Sequence, residues 1–563
     1  MKVVIIGGVA GGATAAARLR RLDERAEIVV FERGGYVSYA NCGLPYYLGG
    51  KIARREKLTL QTPQSFKRRF NVDVRVHSEV TQILRAEKKV RVRTSDGREY
   101  FESYDKLIYS PGAKPLRPPF AGDSERVFTL RTVEDTFRID DFIKREHPKT
   151  AIVAGGGFIG LEAAENLAER GISVTVLQME EQVMPPFDYD MACILHSHMR
   201  EKGVDLRLKS KVTALDASGG TVAAQIEGGA EISADFVLLA LGVVPETQLA
   251  AEAGLELGLK GAVAVDAHMR TSDPDIYAVG DAVQIKNTIT GREALVPLAG
   301  PANKQGRIAA DNLCGLPSTY KGAQGTSVLK LFDLTAAAAG LNERAALQAN
   351  IPFGSVVLFS PDHATYYPGA QNMTLKVLYN RIDGKIIGAQ AVGFAGVDKR
   401  IDVLAAAIYA GMTAEQLTEL DLAYAPPYSS AKDPVNMAGY AIGNIRGGLV
   451  RQHTWRDMPA LLKRDDIVLL DVQTEGEFEE AHFEGALNIP VDELRSRMNE
   501  LDRGKTVYVN CYSGLRSYIA CRILSANGFE CSNLSGGMRF YRVVEEGGSY
   551  DDLPRHLCGM RSE

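Results

Sequence analysis

The apolar positions fall into short β-branched runs, each closed by a glycine-rich turn and followed by an amphipathic stretch. Val3 to Ile6 runs straight into Gly7-Gly-Val-Ala-Gly-Gly12 and then into an Ala/Leu/Arg stretch ending at Leu22. That pattern predicts a buried parallel strand, a tight turn and a helix over 13–22. Glu27 to Phe31 supplies the next strand and ends in Glu32. A second copy of this grammar spans 151–177: an apolar run, Gly155-Gly-Gly-Phe-Ile-Gly160, a helix over 161–169 and a strand over 173–177. Leu107 to Ala113 and Asp235 to Pro245 read as strands entering turns, one after each copy. Further strands are predicted at 326–331, 355–360, 373–379 and 386–392. A last series has strands at 467–470, 486–489 and 506–510 and helices at 491–501 and 516–527. Strands alternating with helices predict parallel sheets and an α/β fold class.

At 563 residues the chain needs several cores, about three or four by length alone. A net charge of −5 gives no basic footprint for nucleic acid or membrane. No apolar run reaches the roughly 18 residues that span a bilayer. Residues 2–17 imitate a signal peptide, but their glycine spacing fits strand, turn and helix better. The seven cysteines are scattered and odd in number, which fits a reducing cytoplasm rather than a disulfide framework.

Two glycine turns at helix starts imply two bound nucleotides, because the free amides of such a start cradle a pyrophosphate. The first turn keeps Gly7 and Gly12 but has valine at the middle position, and Glu32 stands twenty residues past Gly12, where a carboxylate can take an adenosine ribose. The second carries the full pattern at Gly155, Gly157 and Gly160. Its acid is ambiguous: Gln178 ends the strand, while Glu180 has the expected spacing. NADH is favoured without excluding NADPH, since no Arg stands in that turn. Gly280-Asp281 closes a strand and offers the Asp281 carboxylate to a ribityl hydroxyl. Between these motifs, Ser38-Tyr-Ala-Asn-Cys-Gly-Leu-Pro-Tyr-Tyr47 places one cysteine, Cys42, just past the first unit at a turn marked by Gly43 and Pro45.

This ordered set resembles the flavin-dependent pyridine nucleotide disulfide oxidoreductases over residues 1–445. The resemblance implies a Rossmann-like FAD-binding domain (1–111 and 249–325), a Rossmann-like NAD(P)H-binding domain (112–248) and an α+β dimerisation domain (326–445). A lone Cys42 in place of Cys-x4-Cys implies cycling through a mixed disulfide or a sulfenic acid. The peroxidases and oxidases of this branch carry a His in the first turn, where Ala10 stands here, and this argues for a thiol substrate. The Cys42 segment resembles that of coenzyme A disulfide reductases. By that resemblance Arg18, Arg21 and Lys67 contact coenzyme A phosphates, Ser38 and Asn41 flank the substrate sulfur, and Glu162 helps place the nicotinamide. Tyr366 and Tyr424, with Tyr367 and Tyr428 as rivals, reach across a homodimer to the partner's flavin and cysteine, and Lys432 lies at the substrate.

After a linker at 446–455, residues 456–563 resemble a single-domain rhodanese. Strand 507–510 runs into Cys511-Tyr-Ser-Gly-Leu-Arg516, whose loop amides and Arg516 would hold a persulfide; phosphatase loops of this kind are slightly longer. Cys521 and Cys531 read as buried small hydrophobes. The expectation is an NAD(P)H-dependent flavoenzyme reducing coenzyme A persulfide, polysulfide or coenzyme A disulfide through Cys42, with Cys511 delivering sulfane sulfur. The alternatives are a plain coenzyme A disulfide reductase, an NADH oxidase or peroxidase, and a non-catalytic FAD-binding sensor. No metal, nucleic acid or membrane partner is expected.

Overall fold

The computed structural model describes residues 1–546, so Cys558 and the end of the expected 456–563 domain lie outside the described residues. The chain divides into two units, 1–180 with 204–323, and 181–203 with 324 onward.

The first unit holds two five-stranded sheets with parallel pairing throughout. One runs in the order Ile276–Ala278, Lys106–Tyr109, Lys2–Ile6, Glu27–Phe31, Asp73–Arg75. The other runs Asp205–Arg207, Ser173–Leu177, Thr150–Ala154, Phe236–Leu239, Val127–Thr129. Their central strands are apolar on both faces, as helix-covered parallel strands must be. In the first, Val3 and Ile5 face Ala16 and Leu19 of helix Ala10–Leu22, while Val4 and Ile6 pack with Phe31 and Tyr104 on the opposite side. That helix begins at Ala10, inside the glycine turn and three residues earlier than expected. A three-stranded antiparallel meander accompanies each sheet, at 78–103 and 212–234.

In the second unit an antiparallel sheet runs Ser327–Leu331, Leu334–Gly340, Ile386–Gly393, Asn372–Asn380, Phe353–Pro361. Leu334–Gly340 is a strand that sequence reasoning missed, because Leu-Thr-Ala-Ala-Ala-Ala-Gly has little β-propensity. Paired on both edges, its small side chains give helix Val397–Ala410 a close seat. The unit's other five-stranded sheet is parallel and has the order Gln452–His453, Cys531–Leu534, Thr506–Asn510, Ile467–Asp471, Leu487–Asn488. The expected linker 446–455 is therefore partly structural: Val450 is buried in this core and Gln452–His453 is an edge strand. The helix expected at 491–501 shortens to Leu494–Arg497, since Ile489 and Val491 still donate main-chain bonds to Asp471 and Val472. Helix Tyr189–Glu201, which lies within 112–248 in sequence, belongs to this unit and brings Asp190 to Lys376.

Candidate active site

The glycines at both turns are set by backbone crowding. Gly7 (φ +92°) could not carry a Cβ, which would lie 2.1 Å from Ser110 O, and at Gly12 it would lie 2.0 Å from Gly7 O. Gly155 (φ +113°) and Gly160 repeat this against Ala240 O at 2.2 Å and Gly155 O at 2.0 Å. Gly157 differs, because a Cβ there meets no protein atom within 4 Å. Its open side suits a pyrophosphate that must approach the backbone closely.

The ends of the second strands decide which residue answers Glu32. The Gly8 amide donates to Glu32 Oε2 at 3.0 Å, and the Gly156 amide donates to Gln178 Oε1 at 3.0 Å. Gln178 is thus the structural counterpart of Glu32. Glu180, favoured by spacing, lies exposed two residues beyond Gln178.

Cys42 is the middle residue of a 3-10 turn, Asn41–Gly43, that leads into helix Leu44–Leu48 with Pro45 in its first turn. Ser38 enters the segment at φ 47°, a strained conformation for a non-glycine residue, held by Ser38 N to Gly8 O (2.8 Å) and Leu60 N to Ser38 O (3.0 Å). The Cys42 thiol is exposed. Partial burial pushes it up, Glu162 and Asp281 add to the rise, and Arg131 opposes them. Arg131, which sequence reasoning missed, ties the site together. It donates to Asp281 Oδ2 (2.8 Å) and to Ala113 O (3.1 Å). Asn41, with its amide oriented to satisfy both atoms, donates to Arg131 O (3.0 Å) and accepts from Arg131 Nη1 (3.1 Å). From the second nucleotide motif, Glu162 accepts from Tyr46 Oη at 3.2 Å. Burial pushes the Glu162 carboxyl up to about 7, aided by Glu165 one turn along and opposed by the Tyr46 bond.

Of the expected phosphate-binding cations, Arg21 and Lys67 face solvent. Arg18 is engaged instead with the buried Asp311, Nε to Oδ1 at 2.6 Å.

In the second unit the tyrosine motifs converge. Tyr366 Oη and Tyr424 Oη are 2.7 Å apart, at 75% and 46% exposure. Tyr367 stacks edge-on against His363 (5.7 Å between rings), and Tyr428 and Lys432 are exposed.

The Cys511 thiol is wholly buried, accepting from Gly514 N at 3.1 Å and Ser517 Oγ at 3.3 Å. Gly537 closes the loop, because a Cβ there would lie 2.5 Å from Cys511 O. Arg516, expected to touch the sulfur ligand, is buried and forks onto Glu477 at 2.7 and 2.9 Å. This forked pair fixes the guanidinium at the loop start, close enough to interact electrostatically with Cys511. Cys521 and Cys531 are buried; Cys531 Sγ donates to Cys521 O at 3.3 Å. Among the described residues no cluster of His, Cys, Asp and Glu could hold a metal, and no helix is long and apolar enough to cross a membrane.

Comparison with known proteins matches these segments in order. Residues 1–306 match the pyridine nucleotide-disulphide oxidoreductase family, 326–434 its dimerisation domain, and 454–542 the rhodanese-like domain. The coenzyme A disulfide reductase of Staphylococcus haemolyticus is 38% identical over 441 residues, 78% of this chain and 98% of that protein. The structure of reduced CoADR-RHD from Bacillus anthracis is similar over 97% of this chain and 98% of that one, at 47% identity and TM-score 0.94. A NAD-dependent persulfide reductase from A. fulgidus is similar over 96% and 100%, at 42% identity and TM-score 0.90. The chain belongs to the pyridine nucleotide-disulphide oxidoreductase family, with a rhodanese-like domain following its dimerisation domain.

Proposed function

We propose that this protein is an FAD-dependent NAD(P)H reductase of coenzyme A persulfide, polysulfide or coenzyme A disulfide, and that its rhodanese domain delivers sulfane sulfur from Cys511. One observation carries the reading: an exposed thiol, alone in its segment, whose charged neighbours Glu162, Arg131 and Asp281 come from both nucleotide-binding halves. FAD would be held by the Gly7–Gly12 turn, Glu32 and Asp281, and NAD(P)H by Gly155, Gly157, Gly160 and Gln178. When bound, the two supply the electron pair.

The Cys42 thiolate attacks the inner sulfur of a coenzyme A persulfide, releasing hydrosulfide and leaving a Cys42–coenzyme A disulfide. Two electrons and a proton then return the Cys42 thiolate and free coenzyme A thiol. Arg131 steadies the thiolate, and Ser38 and Asn41 line the approach of the sulfur. Arg21 and Lys67 attract the coenzyme A phosphates. In a homodimer, Tyr366 and Tyr424 of one subunit protonate the departing thiolate at the other's Cys42, with Lys432 beside the substrate. A reducing cytoplasm keeps Cys42 available as a thiol. The neutral Gln178 at the ribose position accepts NADH and does not repel NADPH.

Steady-state rates on coenzyme A persulfide and coenzyme A disulfide test this. Cys42→Ser is expected to lose both by at least about 100-fold while NADH still bleaches the flavin. Cys511→Ser is expected to spare both and to lose only turnover that starts from a sulfane donor loaded on the rhodanese domain. Retention of disulfide or persulfide reduction by Cys42→Ser would overturn the reading.

A further inference from the structure

The two tyrosines that converge at 2.7 Å stand on separate loops, 58 residues apart in sequence. Exposed as they are, their own packing does not hold them together. The contact between the loops lies behind them, around one wholly buried side chain, Arg400 of helix Val397–Ala410, at 1% exposure. Its Nη2 donates to Asp362 O (2.9 Å) at the root of the Tyr366 loop. The same nitrogen reaches Ser429 Oγ (2.9 Å) and Asp433 Oδ2 (3.0 Å) on the Tyr424 loop, while Nη1 holds Gly396 O at 3.2 Å. Ser429 Oγ in turn donates to Asp433 Oδ2 at 2.8 Å. The Ala364 amide reaches across to Pro426 O and Ser429 O at 3.3 and 3.1 Å, so the two backbones are laced where the guanidinium lies. Next to it, Lys399 Nζ reaches toward Ala423 O at 3.5 Å, the residue before Tyr424.

We propose that Arg400 is the positioning residue of the tyrosine pair: it sets the spacing of the two loops, and thereby of the Tyr366 and Tyr424 hydroxyls that act on the departing thiolate. The proposal rests on the function given above. The planar fork spreads its donors over four oxygens, those of Gly396, Asp362, Ser429 and Asp433, more than the three donors of a lysine ammonium can serve. Proton transfer tolerates little misplacement, and an error of about 1 Å costs on the order of 100-fold.

The test is a double-mutant cycle in the full-length holoenzyme, with coenzyme A disulfide as substrate. Arg400→Gln is expected to lower kcat by roughly 30- to 100-fold, with KM changed less than about threefold and bleaching of the flavin by NADH at the wild-type rate. In a Tyr424→Phe background the same change is expected to cost less than about threefold more, because there is no pair left to align. Arg400→Lys is expected to recover only a part of kcat. Should Arg400→Gln fail to fold, Ser429→Ala keeps the Arg400–Asp433 pair while releasing one tie, and the same non-additive fall in kcat is expected from it. An Arg400 or Ser429 effect that is equally large in the Tyr424→Phe background, or no effect on kcat where Tyr424→Phe has one, would overturn the proposal. If Tyr424→Phe itself left kcat intact, the tyrosine step of the proposed function would fail instead.

Discussion

Glu162 shows how much a single residue's environment decides. In the sequence it is an ordinary acid two positions past a glycine turn. In the fold it is half-buried, bonded by Tyr46 and close to the buried Glu165, and its carboxyl rises from 4.5 to about 7. A native value above the unfolded one means that the unfolded chain loses this proton first. Stability therefore falls as pH climbs from about 4.5 to about 7, then stays reduced, by at most about 3 kcal/mol for this rise. Glu162→Gln still accepts from Tyr46 and removes the buried charge. It is expected to be more stable than wild type at pH 8, with the advantage shrinking toward pH 5, in urea unfolding of the holoenzyme. Equal differences at both pH values would show that Glu162 ionises as an ordinary acid. The nearby Arg131 marks the limit of sequence reading at this scale. It lies in no motif, and its role comes from three partners at positions 41, 113 and 281.

At the scale of elements, the two glycine turns separate architecture from ligand contact. Gly155 and Gly160 have no room for a side chain because backbone oxygens lie 2.2 and 2.0 Å from a Cβ, whereas Gly157 has open space. Gly157→Ala is expected to leave the unfolding midpoint of the protein unchanged and to raise the KM for NADH roughly tenfold or more, since the added methyl occupies space meant for a phosphate. Gly155→Ala is expected to lower yield and stability. A Gly157→Ala enzyme with a normal KM would remove the cofactor reading of that turn. These strand–turn–helix units were legible because turn chemistry and apolar runs are local. The strand Leu334–Gly340 was not, since an alanine run takes its state from the strands on either side and the helix packed above it. After strand Ser173–Leu177, spacing points to Glu180 while the hydrogen bond from Gly156 goes to Gln178. Arg18 and Arg516 were legible as cations, but their buried partners Asp311 and Glu477 lie far along the chain.

At the scale of the molecule, the second unit raises the question of how the rhodanese-like sheet is joined to the antiparallel one. The answer centres on Lys376, fully enclosed, with Asp188, Asp190 and Glu343 at 3.0, 2.8 and 2.8 Å. Burial alone would lower its pKa, but the three carboxylates outweigh that and keep it charged. The last residue of the expected linker and the one after it complete the network: Trp455 Nε1 donates to Asp190 Oδ2 (3.1 Å) and Arg456 pairs with Glu343 (2.7 Å). Around it, Ser535 Oγ accepts from Val357 N (3.3 Å) and the Arg539 guanidinium covers the Phe359 ring (4.5 Å). A segment tied this way is a joint rather than a loose tether. Lys376→Met leaves the buried Asp188 and Asp190 without their cation, while Glu343 keeps Arg456, a loss on the order of 3–5 kcal/mol. It is expected to open the joint, so that calorimetry resolves a separate low-temperature transition and a protease cuts within 446–456, sites protected in the wild type. Trp455→Phe, which removes one hydrogen bond and keeps the ring, is expected to shift that transition by about 1 kcal/mol only. A Lys376→Met protein that unfolds in the wild-type pattern and resists cleavage would mean that the apolar contacts alone hold the domain.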